Sequence, residues 1–269
     1  MTRRIALAFS LALAVSACAP PAAPSLPTGA GSPMPDFLAA YTQATTACRG
    51  IQTITAVLAL SGRAGSTKVR GRIEAGFAAP AKMRLEGVAP FGKPVFVLTA
   101  SGDTGTLVLP RDERVLADAP PAEIVNALAG VPLGPHALRN AITGCGFWAS
   151  EEPSAGEAFP NGWASVSFPD GTAYLHSIDG EWRYEAATRQ SLALFYSEYA
   201  SGRPSAVRLR SGSDRQTRAD LTLRVSQIEI NVPIDDAAFV AEPRPHAAPL
   251  TLDELRRAGP LGGGAIPNP

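Results

Sequence analysis

The chain has 269 residues and carries 24 Lys and Arg against 24 Asp and Glu, so its formal net charge is zero. Such a balanced chain has no basic field that would attract nucleic acid, and no long run of like charges indicates a polyanionic partner. Between the two ends about 215 residues carry a regular apolar pattern, which suits one sizeable domain and is short for two. We therefore expect a single domain that does not bind nucleic acid.

The amino-terminal residues have the order of an export signal. Arg3 and Arg4 precede an apolar run over residues 5–15, and the small residues Ser16 and Ala17 follow it. This order predicts a signal peptide over residues 1–17. The alternative is a permanent transmembrane anchor, but the apolar run of 11 residues is shorter than the roughly 20 residues that a membrane-crossing helix needs.

The residues Val15-Ser16-Ala17-Cys18 resemble the lipobox of bacterial lipoproteins. This resemblance implies that the chain is cut before Cys18 and that Cys18 is the lipid attachment site, so acyl chains hold the protein on a membrane. In the lipoprotein sorting system that this pattern resembles, Asp directly after the cysteine causes retention in the inner membrane. Since Ala19 stands there, we expect a lipid-anchored protein of the outer membrane that faces the periplasm, with the inner membrane as the alternative.

Two further features follow from the composition downstream of Cys18. Residues 18–34 are rich in Pro and Gly, which predicts an extended tether rather than a packed segment. Cys48 and Cys145 remain as an even pair in an exported chain, which predicts a disulfide. The alternative, a catalytic thiol, would need a histidine partner, and no histidine is near either cysteine in sequence.

The pattern from residue 35 to residue 145 predicts one helix, several strands and then two short helices. Apolar residues at helical spacing predict a helix over 35–48, and alternation predicts a strand over 69–77. Turn residues separate further strands. Two short helices follow Pro residues and end at Gly130 and Gly144. The remaining predicted elements of this part are strands over 82–88, 94–100, 104–109 and 113–117 and helices over 122–129 and 135–143.

Strand patterning resumes after residue 160. Predicted strands cover residues 163–168, 172–178, 183–187, 192–199, 205–210 and 219–231. In the last of these the apolar phase changes near Ser226-Gln227, which indicates a β-bulge. About eleven strands without βαβ alternation predict a mainly β (α+β) fold. We expect a strongly curved antiparallel sheet that forms an incomplete barrel, with short helices covering the concave face and an apolar cavity beneath them.

The segment from Arg84 to Leu98 resembles the LolA/LolB-like family of outer-membrane lipoprotein-sorting proteins, and within it the LolB receptor most closely. In that family a strand ends in a turn whose large apolar residue projects into solvent, and Pro90, Phe91 and Gly92 hold that place here. The resemblance continues through the two short helices to about residue 145. It implies a half-barrel domain over residues 35–243 and a membrane-facing loop at Phe91; the alternative is that Phe91 folds back and plugs one end of the sheet. The tail over residues 244–269 is a departure from the family pattern, and we expect it to be partly disordered.

Alternation along the predicted strands marks the residues that would line the cavity. The same alternation describes any sheet core, so a packed interior stays open as the alternative. The candidates are Val69, Ile73, Phe77, Met83, Leu85, Leu107 and Leu109.

Enzymatic and metal-binding motifs are not found in the sequence. The chain has three histidines, His136, His176 and His246, and it has neither a Gly-x-Ser-x-Gly turn nor His or Cys at metal-ligand spacing. His176 with Asp170 and Asp179 is a conceivable relay, but Asp and His at turns are mostly surface residues. We expect no catalytic residues, no metal and no cofactor.

These observations favour a lipid-handling lipoprotein that binds acyl chains of lipid or lipoprotein cargo and delivers them to the outer membrane. A periplasmic carrier protein is an expected partner. The alternative is a non-catalytic assembly subunit of an envelope complex that uses the same fold as a platform, with edge strands and residues 251–258 contacting another protein.

Overall fold

The computed structural model of the protein describes residues 24–88, 94–148, 151–213, 216–242 and 245–259. The predicted signal peptide and Cys18 lie outside these residues. Among the described residues, no helix has the length and apolar character to cross a membrane.

Fifteen strands of the described residues form one sheet, in the order β1-β8-β9-β10-β11-β12-β13-β14-β2-β3-β4-β5-β6-β7-β15. Neighbouring strands are antiparallel except for β15, which runs parallel to β7. The sheet is curved and open, with β1 and β15 at its two edges. The strands are β1 (Ser32–Pro33), β2 (Thr53–Ala64), β3 (Thr67–Ala78), β4 (Lys82–Val88), β5 (Pro94–Ser101), β6 (Thr104–Leu109), β7 (Arg114–Ala119), β8 (Ala155–Ala158), β9 (Trp163–Phe168), β10 (Gly171–Ile178), β11 (Glu181–Arg189), β12 (Leu192–Ala200), β13 (Arg203–Ser213), β14 (Gln216–Ile230) and β15 (Ala248–Pro249).

Helices pack on the concave face of this sheet. The first packs mainly on β11, the second on β6 and the fourth helix, and the third contacts both β13 and β4. The third helix therefore bridges two distant parts of the sheet. The predicted incomplete barrel with helices over its concave face is confirmed. The helices are α1 (Phe37–Arg49), α2 (Pro121–Ala129), α3 (Pro135–Thr143) and α4 (Leu252–Ala258).

Local sequence accounts for the ends of α2 and α3. Each helix begins with Pro at a first-turn position, where the missing N–H has no intrahelical partner. Each ends at a glycine in the left-handed region, Gly130 with φ 74° and Gly144 with φ 96°. A residue with a Cβ is strained there, so these glycines stop the helices where the sequence predicts.

Several predicted elements coincide with the observed ones. Strands β4, β6 and β9 and helix α3 have the predicted bounds, and the register of β14 shifts between Val225 and Gln227, at the predicted bulge. Strand β2 was not predicted, although Ile54, Leu58 and Leu60 alternate there and are buried. Its 12 residues pair with both β14 and β3, so β2 lies at the centre of the sheet.

Both ends of the described chain pack more than their composition predicts. Ser32 and Pro33 pair with β8, and Met34 is buried, so the predicted tether ends before residue 32. In the predicted tail, Leu250 and Leu255 are buried. Helix α4 begins with a capping box between Thr251 and Glu254 and packs on α2. Residues 248–258 are therefore part of the domain, because apolar side chains and a local cap offset the cost of ordering them.

Candidate functional site

Most of the concave face is filled by the side chains of the protein. Phe77, Met83 and Leu107 have no exposed surface, and Leu109 is 4% exposed. A side chain that no water can touch borders neither solvent nor a water-sized cavity. These four predicted cavity residues therefore belong to the packed core beneath the helices. Leu85 is partly buried and packs against the same core.

An open groove of about 1410 Å³ remains at one end of strands β2 to β5. Two of the seven predicted cavity residues, Val69 and Ile73, line it. Leu60, Val95 and Phe96 add apolar surface. We call this space the β3 groove. The lining residues are Ala59, Leu60, Ser61, Gly62, Arg63, Lys68, Val69, Arg70, Gly71, Arg72, Ile73, Glu74, Glu86, Gly87, Val88, Val95, Phe96, Arg111 and Arg224.

The groove exists because β3 is longer than its neighbour β4. The last pair between these strands joins Arg72 to Val88, so the first five residues of β3, 67–71, extend beyond β4. Gly71 lies in this extension, and a Cβ added to it would meet no atom within 4 Å. The extension therefore leaves open space beside β3.

A glycine also shapes the inner end of the groove. A Cβ on Gly87 would lie 2.2 Å from a ring carbon of Phe96, so the ring lies directly against the backbone of β4. Phe96 is 5% exposed. The ring thereby forms an apolar wall between the open groove and the packed core.

The lining of the groove is strongly cationic. It contains six cationic side chains and two carboxylates, Glu74 and Glu86. Both carboxylates are ion-paired, with Arg72 at 2.9 Å and Arg84 at 3.1 Å. Arg224 is paired with Glu198. The other cations that line the groove, Arg63, Lys68, Arg70 and Arg111, form no ion pair with a described residue.

A disulfide closes the opposite half of the fold. Cys48 on α1 is bonded to Cys145, which follows α3, with 5.8 Å between their Cα atoms. Beside it, the Tyr41 hydroxyl donates a hydrogen bond to the Trp148 carbonyl at 2.6 Å. Burial raises the pKa of Tyr41. The disulfide predicted from the two cysteines is present, and it joins α1 to the helical segment over the sheet.

Asp170 holds the indole of Trp148 in this half. Its carboxylate accepts hydrogen bonds from Trp148 Nε1 at 2.8 Å and from Arg189 Nε at 2.6 Å. Desolvation alone would raise the pKa of Asp170, but these hydrogen bonds, the charge of Arg189 and a backbone hydrogen bond together outweigh it and lower the pKa below its ordinary value. Phe168 stacks on Trp148 with ring centroids 4.4 Å apart. The contacts of Asp170 are therefore structural.

The histidines of the described residues are placed separately. His176 stacks on Trp163, and its ring Nε2 lies 3.0 Å from the Asn161 carbonyl oxygen. Burial, and to a lesser extent the charge of Arg139, lowers the pKa of the His136 imidazole. Since Asp170 binds Trp148 and Arg189, the structure does not assemble the conceivable relay with His176. Within the described ranges, no group of three or more His, Cys, Asp or Glu side chains is arranged to hold a metal ion.

Two predicted sites, Cys18 and the membrane-facing loop Pro90, Phe91 and Gly92, lie outside the described residues. Of the residues that flank the predicted loop, Val88 at the end of β4 pairs with Pro94 at the start of β5. Val88 and Val95 both line the β3 groove.

The cations of the groove and its residues Leu60 and Phe96 are not among the site residues that the sequence predicts. Leu60 lies on the unpredicted β2, and the alternation from Ile54 to Leu60 was the signal for it. In the predicted strand over 69–77, Arg70, Arg72 and Glu74 alternate with apolar residues, which indicates a solvent-exposed face, and Lys68 precedes that strand.

A scan against protein-family models and a search of curated protein sequences find no match for this chain. Among solved structures, the chain is similar to a LolA superfamily protein from Nitrosomonas europaea, with a TM-score of 0.52 and 9% identity over 76% of this chain and 96% of that chain. It also matches a DUF1329 family protein from Desulfovibrio piger, with a TM-score of 0.48 and 12% identity over 75% of this chain and 96% of that chain. At these identities the likeness is one of fold. The chain thus has the incomplete-barrel fold seen in a LolA superfamily protein.

Proposed function

We propose that this protein is a membrane-anchored, lipid-handling lipoprotein that binds acyl chains in the β3 groove and delivers lipid or lipoprotein cargo to the outer membrane. In this proposal Cys18 carries the anchor and Phe91 contacts the membrane. A receptor role like that of LolB, with cargo received from a periplasmic carrier protein, is the finer form of the proposal. The resemblance around Pro90-Phe91-Gly92 and residue Ala19 support that form.

The observation that carries the proposal is the contrast within the concave face. The helices fill it around Phe77, Met83 and Leu107, yet the β3 groove stays open with Leu60, Val69, Ile73 and Phe96 along it. Leu60, Val69 and Phe96 are largely buried and Ile73 is partly buried, so they form the apolar walls of an open groove. An open groove with apolar walls is a candidate binding site.

The size and chemistry of the groove fit acyl chains. The groove is open, with a volume of about 1410 Å³, and its lining includes residues of both phases of β2 and β3. Each buried methylene contributes about 0.8 kcal/mol, so ten methylenes would contribute about 8 kcal/mol before the cost of immobilising the ligand. Burial of this kind needs no catalytic side chain.

The direct test is displacement of a fluorescent fatty acid from the full-length Cys18→Ala chain by a diacylated lipopeptide. We expect saturable binding and complete displacement. The absence of any saturable binding would contradict the proposed acyl-chain binding.

The role of the loop is tested separately with Phe91→Glu. The variant should bind the fatty acid as before but deliver it to vesicles more slowly. If delivery is unchanged, Phe91 does not contact the membrane.

The filled core favours a second candidate function, an assembly subunit of an envelope complex. Five of the seven predicted cavity residues pack in the interior, as expected for a rigid platform. Purification from membranes discriminates the two functions: a stoichiometric partner without copurifying lipid favours the platform, and copurifying lipid without such a partner favours the carrier.

A further inference from the structure

The cations of the β3 groove form a local excess in a chain of zero net charge. On the neighbouring strands β13 and β14, Arg208 binds Asp220 through two hydrogen bonds of 2.7 Å. In the groove, Lys68 and Arg70 are exposed and form no ion pair with a described residue. Four cations that form no ion pair with a described residue, Arg63, Lys68, Arg70 and Arg111, thus lie along one groove.

The register of β2 and β3 places two of these cations side by side. Arg63 and Lys68 are directly opposite each other, and Arg70 is opposite Ser61. Directly opposite side chains have Cβ atoms about 4.5–5.5 Å apart, and like charges in such a pair repel. The Arg63 guanidinium donates to the Ser66 carbonyl at 2.8 Å, which leaves its charge uncompensated. An anion between these side chains would relieve the repulsion.

Apolar and cationic side chains share this groove. Along β3, Val69 and Ile73 lie in one phase, and Lys68 and Arg70 lie in the other. Both sets line the groove because β4 does not cover the edge of β3 over residues 67–71. Arg111, between β6 and β7, adds a fourth unpaired cation from the far side. The groove therefore offers an apolar surface and an anion-binding rim to one ligand.

We propose that the ligand of the β3 groove is an amphiphile with a negatively charged headgroup. Its acyl chain lies along Leu60, Val69, Ile73 and Phe96, and the headgroup lies at the rim. Lys68 and Arg70 bind the net negative charge of the headgroup, with Arg63 and Arg111 beside it. This inference rests on the proposed acyl-chain binding and adds the class of headgroup.

The test compares two lysolipids with the same palmitoyl chain. Palmitoyl lysophosphatidylglycerol carries a net negative charge, and palmitoyl lysophosphatidylcholine carries none. The full-length Cys18→Ala chain is titrated with each lipid, and the double variant Lys68→Gln with Arg70→Gln is titrated in parallel. Since each cation near an anionic lipid contributes about fivefold in affinity, the double variant should bind lysophosphatidylglycerol about 25-fold more weakly and lysophosphatidylcholine unchanged.

Controls separate charge from folding. Arg257→Gln removes an exposed arginine of α4 that forms no ion pair with a described residue, and the preference should stay. The exchange Lys68→Arg with Arg70→Lys keeps both charges and should keep the preference as well. At about 1 M salt, where the screening length falls to about 3 Å, the two lysolipids should bind alike.

Four other outcomes would each contradict a different part of the proposal. If neither lysolipid binds, the proposed acyl-chain site itself fails. If both bind equally and the double variant binds as the parent does, the headgroup inference is overturned while acyl-chain binding stands. If glycerol phosphate alone competes as well as the lysolipid, the rim serves a soluble phosphate compound instead. If the double variant loses only its attachment to phosphatidylglycerol vesicles, the cations serve the membrane surface, and the inference is overturned.

Discussion

The hydroxyl of Tyr41 and the carbonyl oxygen of Trp148 lie 2.6 Å apart, although 107 residues separate them in sequence. This hydrogen bond joins the middle of α1 to the segment that follows α3, beside the Cys48–Cys145 disulfide. Two cross-links of different chemistry therefore hold the same pair of elements over the sheet.

Tyr41→Phe should lower the free energy of unfolding by about 1–2 kcal/mol, because the Trp148 carbonyl loses its donor in a buried place. Urea unfolding at neutral pH measures this change. Tyr174→Phe is the matched control, since Tyr174 is half-buried and its hydroxyl has no hydrogen-bond partner in the described part of the chain. Equal stability of the Tyr41 variant and the parent would show that the hydrogen bond adds nothing.

Replacing both cysteines, Cys48→Ala with Cys145→Ala, should lower the free energy of unfolding by up to about 4–5 kcal/mol. The bond closes a loop with a sequence separation of 97, and closing a loop of that length restricts the unfolded chain by about that amount. Urea unfolding with and without a reductant measures it. The reductant should destabilise the parent and leave the double variant unchanged; an unchanged parent would contradict the prediction.

Asp170→Asn should destabilise the protein by about 1 kcal/mol at neutral pH, because Trp148 and Arg189 lose a charged acceptor. Since the folded-state pKa of Asp170 is lowered, its stabilisation is present above the ordinary pKa of about 4 and is lost as the pH falls through the lower folded-state value. The difference between parent and variant should therefore shrink in acid. Asp103→Asn, in an exposed turn, is the control, and a difference that grows in acid would contradict the assignment.

Gly71→Leu should block acyl-chain binding without unfolding the protein. The added side chain enters the open β3 groove, where a Cβ meets no atom within 4 Å. Affinity for a fluorescent fatty acid should fall at least tenfold while the thermal midpoint stays within a few degrees. Gly50→Leu, at an exposed position that is also free of contacts within 4 Å, should bind as the parent does. Unchanged binding by Gly71→Leu would place the acyl chain elsewhere.

Cys18→Ala should release the protein from the membrane fraction without unfolding it, because every described contact lies downstream of Cys18. Ala19→Asp should instead keep it membrane-bound and move it to the inner membrane. Density-gradient fractionation measures both. A Cys18→Ala protein that stays in the outer membrane fraction would contradict the lipid anchor.

Short-range patterns in the sequence were sufficient for most of the fold. Helix α3 and strands β4, β6 and β9 are flanked by clear turn or capping residues, so their bounds agree with the prediction. Strand β2 was missed, although it alternates through Ile54, Leu58 and Leu60. Tertiary pairing with β14 and β3 holds it at the centre of the sheet.

The groove was less predictable than the fold because it depends on which strand extends beyond the end of its neighbour. Alternation marks Val69 and Phe77 alike as inward-facing, yet only Val69 lines the groove. The length of β4 and the position of α3 decide between them. The cross-strand pair of Arg63 and Lys68 could likewise not be predicted, because strand β2 was not predicted.

The two outermost strands of the sheet have a consequence for self-association. Each is two residues long and ends in proline, Pro33 in β1 and Pro249 in β15. Proline has no N–H to donate, and strands this short offer little backbone to a second chain. The sheet can therefore remain unclosed, with the room that a groove requires, without adding further copies of itself edge to edge into a fibre.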